Sequence, residues 1–87
     1  MTLLKFQNAK GHDVWVDPDA ILAVIPVYKM QSVLHASGEA VRVPSNKQEE
    51  DLAGLVTMKE TIIIQGKPWT IVQLLEDTAA AVEQPSH

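Results

Sequence analysis

The chain has no cysteine. No disulfide can staple it and no thiolate can hold a metal, so its stability must come from its core and from whatever covers that core. Basic charge is also scarce. The seven bases, Lys5, Lys10, Lys29, Arg42, Lys47, Lys59 and Lys67, are scattered singly, and the net charge is −4. A duplex-DNA binder ordinarily carries a basic stripe, so nucleic acid is disfavoured as a partner. The four glycines, at 11, 38, 54 and 66, stand too far apart for a phosphate-cradling loop. No apolar run approaches the roughly 20 residues of a membrane span. The opening "MTLLKFQN" lacks the apolar stretch of a signal peptide. These absences point to a cytoplasmic protein without membrane contact.

What is present is a folding domain. Of 87 residues, 46% are apolar, a globular proportion. One domain over residues 1–84 is expected, with 85–87 as a frayed tail. Three segments pair extended runs around a glycine: "LLKFQNAKGHDVWVD", "SVLHASGEAVRVP" and "TIIIQGKPWTIV". Asn8 and Gly11 hold the first and fourth positions of a type I turn, and Gly38 and Gly66 mark the other two turns. The flanking runs alternate as half-buried strands do: Leu4 and Phe6 share a face, as do Val14 and Val16. "AILAVIPVY" is apolar on both faces and reads as a central strand, with Pro26 marking a bulge or an end.

The periodicity predicts strands over 2–7, 12–17, 20–28, 32–36, 39–43, 59–65 and 68–73, and a helix over 74–84 with a stripe of Leu75, Ala79 and Val82. Residues 45–56 fit two descriptions. One is a short helix, with Ser45 and Gln48 as a capping box and Gly54 at its end. The other is an acidic loop. The expected fold is mainly β within the α+β class, a small antiparallel sheet or partly open β-barrel of hairpins with a C-terminal α-helix.

The beginning and end of the chain resemble the small flagellar FlbD-type proteins. The matching residues are Gly11, Val14, Val16, Asp17, Pro18, Asp19 and Ile21 at the front, and Thr61, Gly66, Trp69, Val72, Glu76 and Val82 at the back. Residues 26–60 depart from that pattern by an added hairpin and an acidic segment. The resemblance implies a bacterial or phage accessory protein without enzyme chemistry. Short patterns of the same kind occur in DNA-binding LytTR domains, which makes a nucleic-acid-binding regulator of LytTR-like or small-barrel type the alternative. Lys29, Arg42, Lys59 and Lys67 gathered on one face would favour it.

Candidate sites are few. Asp13, Asp17 and Asp19 are the nearest acidic cluster, but a calcium site wants more oxygens and a glycine in its loop. They read as turn chemistry, with no metal and no cofactor. His12, His35 and His87 lack metal-ligand spacing, and no nucleophile stands beside His35 in sequence. An enzyme would need His35 enclosed in a pocket with a carboxylate. Trp15 and Trp69 are expected over the ends of a small core. Trp15, flanked on its strand face by Asp13 and Asp17, should stay partly exposed, because unpaired carboxylates resist burial. Glu49 and Glu50 should be exposed as well. Trp15, Asp13, Asp17, Glu49 and Glu50 are thus the candidate contacts for a protein partner with a basic or amphipathic surface. The open sheet edges expected of so small a domain further predict a homo-oligomer.

Overall fold

In the computed structural model, which describes residues 2–83, the first hairpin forms as its turn chemistry requires. Strands β1 (Leu4–Gln7) and β2 (Asp13–Val16) pair antiparallel, with Phe6 opposite Val14 and Lys5 opposite Trp15. Asn8 builds the turn three times over. Its carbonyl accepts from Gly11 N at 2.9 Å, and its side-chain Oδ1 accepts from Lys10 N and His12 N at 2.9 and 3.0 Å. Gly11 sits at φ +85, a conformation that a β-branched residue cannot hold without strain. Gly38 and Gly66 also take positive φ.

After β2 the chain turns at Asp17-Pro18-Asp19. Asp17 Oδ1 accepts from Asp19 N at 2.9 Å and caps a single 3₁₀ turn, Pro18–Ala20. Strand β3 (Ala23–Leu34) follows, then β4 (Ala40–Val56) and β5 (Thr61–Gln65), in the antiparallel order β3-β4-β5. The two small sheets meet at Asn8, which bridges to Ile64 and accepts from Gln65 Nε2 at 3.0 Å. Helix α1 (Pro68–Glu83) closes the described chain. The mainly β, α+β class with a C-terminal helix is as the sequence predicts, and among the described residues the sheets do not close into a barrel.

The core lies where one face of β4 and β5 meets the inner face of the first hairpin and the helix. It consists of Phe6, Val16, Ala53, Leu55, Ile64 and Ile71, with Leu55 and Ile64 fully buried. Leu4, Val14, Val24, Ile62 and Leu75 pack around it half-buried.

Four expectations are corrected. First, 20–28 and 32–36 are not separate strands: β3 runs unbroken from Ala23 to Leu34, and it is an edge, not a covered centre. Second, 45–56 is neither helix nor free loop. It is the inner part of β4, drawn into the sheet because Ala53–Val56 pairs with both neighbours. Its polar part is bulged. From Pro44 to Ala53, β4 takes nine steps while β3 takes four, from Met30 to Pro26, so five extra residues loop outward. Ser45 Oγ there accepts from Lys47 N, not from a helix. Third, Gly54 ends nothing. It lies inside the sheet, where a Cβ would stand 2.8 Å from Ile25 Cγ1. Fourth, 68–73 is helical. Pro68 suits the first helical position, and Ile71 and Leu75, four residues apart, face the core together. Of the predicted stripe, Leu75 is half-buried and Ala79 is exposed. The Val82 side chain and the predicted tail, 85–87, lie outside the described residues.

The outer parts of β3 and β4 leave the body as a two-stranded arm. Every residue from Tyr28 to Arg42 is exposed. The radius of gyration is 16.5 Å, with extents of 66 × 23 × 19 Å; a compact chain of this length would have a radius near ~12 Å. At the tip, His35 N donates to Glu39 O at 2.7 Å and Gly38 N to His35 O at 2.9 Å, closing the hairpin predicted at Ser37-Gly38.

Candidate functional site

Strand alternation divides the first hairpin into two faces. Leu4, Phe6, Val14 and Val16 turn toward the core, so Lys5, Gln7, Asp13 and Trp15 turn outward. Trp15 is 60% exposed, and Lys5 Nζ lies 5.9 Å from its ring centroid. That cation–π contact is worth about 0.5–1 kcal/mol at an exposed position. It leaves the ring more than half exposed.

The capped corner and the residues just after it carry Asp17, Asp19 and Leu22 alongside the β4–β5 turn. That turn is held by Thr57, whose Oγ1 donates to Glu60 O at 2.8 Å and accepts from Glu60 N and Lys59 N. Corner and turn enclose an open groove of about 400 Å³. Trp15, Leu22, Met58 and Ile62 supply its apolar lining, and Asp17 and Asp19 line it beside them, with Lys59 also present. Leu22 is 62% and Met58 87% exposed, so large apolar surface faces water.

Such a groove can take an apolar side chain and place a neighbouring cation against the aspartates. Among the described residues, no histidine lines it. Among the described residues, no group of three or more His, Asp or Glu is placed to hold a metal. No described helix is long and apolar enough to cross a membrane.

The predicted contacts divide. Trp15 and Asp17 meet in the groove. Asp13 is exposed on the outward face but is not part of the lining. Glu49 and Glu50 sit in the bulged part of β4, away from the groove; Glu50 is exposed as expected, but Glu49 is half-buried there. Neither tryptophan covers the core: Trp69 is 74% exposed at the start of α1. Sequence reasoning missed Leu22, Met58 and Lys59. Met58, a long apolar side chain inside the polar turn "TMKE", was the available signal. His35 caps the arm tip, its Nδ1 3.1 Å from Ser37 Oγ, exposed and not part of the groove's lining. The four cations named for the nucleic-acid alternative are dispersed. Lys59 lies in the β4–β5 turn and Lys67 precedes α1, while Lys29 and Arg42 occupy opposite faces of the arm by strand alternation.

No family model, curated protein or solved structure matches this chain.

Proposed function

We propose that the chain is a noncatalytic protein–protein interaction module of a bacterium or its phage, and that the Trp15 groove docks a basic or amphipathic segment of a protein partner. One observation carries this: Trp15, Leu22 and Met58, all more than half exposed, gather around one groove lined also by Asp17 and Asp19. Tryptophan is among the side chains enriched at binding hot spots. Removing the three from water gains roughly 25 cal/mol per Å² of apolar surface. With Lys59 also on the lining the groove carries a net −1, which favours the approach of basic partners over acidic ones. The tip position of His35 favours a noncatalytic role, and the dispersal of Lys29, Arg42, Lys59 and Lys67 disfavours nucleic acid.

The test is parallel affinity capture from the native host with wild type and Trp15→Ala, followed by titration of each purified candidate. The expected result is a protein whose binding weakens about 30-fold on Trp15→Ala, equivalent to roughly 2 kcal/mol, while the circular dichroism spectrum is unchanged. Partner binding indifferent to Trp15→Ala and Met58→Ala would overturn the proposal. So would tight, salt-sensitive binding of the wild type to DNA or RNA.

A further inference from the structure

The arm is the largest unpartnered feature of the molecule. A two-stranded ribbon alone is marginally stable in water, yet this one exposes apolar side chains on both faces. Cross-strand partners point to the same side. One face therefore carries Val33, Val41 and Val43. The other carries Met30, Leu34, Ala40 and Pro44 around Arg42 and its cross-strand partner Ser32. Met30 is 48% and Leu34 76% exposed.

Charge separates arm from body. Residues 27–48 hold Lys29, Arg42 and Lys47 against Glu39, a net +2, while the rest of the chain carries −6 of the total of −4. The Arg42 face is thus apolar with a cation at its centre. The groove is apolar with Asp17, Asp19 and Lys59 on its lining, a net −1. No residue of the arm lines the groove of its own chain.

Resting on the groove reading above, we infer that the segment docked there is the β3–β4 arm of a second copy of this chain, exchanged reciprocally in a two-fold dimer. Met30 and Leu34 meet Trp15, Leu22 and Met58, and the Arg42 guanidinium reaches Asp19 or Asp17, a planar donor suited to a carboxylate.

Sedimentation equilibrium from 1 to 100 µM tests this, with circular dichroism as the check that each variant folds. The wild type should run at twice 9.6 kDa and dissociate as salt is raised. Arg42→Glu and Asp19→Arg should each weaken the dimer at least about tenfold, and Trp15→Ala likewise. Arg42→Glu mixed with Asp19→Arg should restore it, because in the mixed dimer both arm–groove contacts regain opposite charges. A wild-type monomer throughout that range overturns the inference. A host protein that still binds in a Trp15-dependent way would then leave the groove reading standing. A dimer weakened by Arg42→Glu but not by Asp19→Arg or Trp15→Ala also overturns it, because the arms would then be pairing elsewhere. If in addition no Trp15-dependent partner exists, the groove reading falls too.

Discussion

Gly54→Val probes the packing of the central strand. Gly54 is buried inside β4, opposite Ile63 on one side and Ile25 on the other. A Cβ there would lie 2.8 Å from Ile25 Cγ1, 3.3 Å from Ile25 Cδ1 and 3.2 Å from Thr61 Cγ2. Comfortable carbon–carbon contact begins near ~3.5 Å. Valine adds two further carbons to a space already filled, so Ile25 must leave its position or the strands must part. Overpacking of this kind costs about 1–3 kcal/mol. Valine's better strand propensity returns up to about 1 kcal/mol. The expected net loss is about 1–2 kcal/mol, a melting point lower by roughly 4–15 °C for a domain of this size. Ile25 is 40% exposed, so Ile25→Ala is tolerated and clears most of the obstruction. In that background Gly54→Val should be close to neutral, a coupling of about 1 kcal/mol or more in the double-mutant cycle. Urea denaturation followed by far-ultraviolet circular dichroism is the suitable assay, because both tryptophans are exposed and report poorly on the core. Equal losses in the two backgrounds would refute the reasoning and place the cost in the backbone.

Other substitutions separate turn, cap and surface. Gly11 has open space around a Cβ but φ +85, so Gly11→Val should cost about 1–2 kcal/mol through backbone strain alone. Gly11→Asn should be distinctly milder, and equal melting points would mean that φ is not the cause. Asn8→Ala removes the acceptor of two backbone N–H groups and should cost about 1–2 kcal/mol; an unchanged urea midpoint would show that water replaces it fully. Leu55→Ala empties a fully buried position and should cost about 2–5 kcal/mol, enough to unfold much of the population at 37 °C. Trp15→Ala should shift the unfolding free energy of the isolated domain by no more than about 1 kcal/mol; a loss above about 2 kcal/mol would show the ring to be structural.

The sequence by itself determined what depends on neighbours a few residues away. The Asn8–Gly11 turn, the Asp17-Pro18-Asp19 corner and the Ser37-Gly38 tip are written in residues that hydrogen-bond within four positions or tolerate positive φ. Period-two alternation likewise gave the two faces of the first hairpin, and with them an exposed Trp15. Tertiary structure decided everything that depends on distant partners. "PWTIV" is rich in strand-forming residues, yet it is helical, because only a helix brings Ile71 and Leu75 together onto the core. Residues 45–56 carry neither strand alternation nor a decisive helix pattern, and they became strand because β3 and β5 pair with them. Gly54 looked like a terminator, but its role was set by Ile25, nearly thirty residues earlier. The groove needs Met58 and Lys59 beside Trp15 and Asp17, more than forty positions apart. No local preference encodes that adjacency; the shared burial of Phe6, Val16, Leu55 and Ile64 beneath it does.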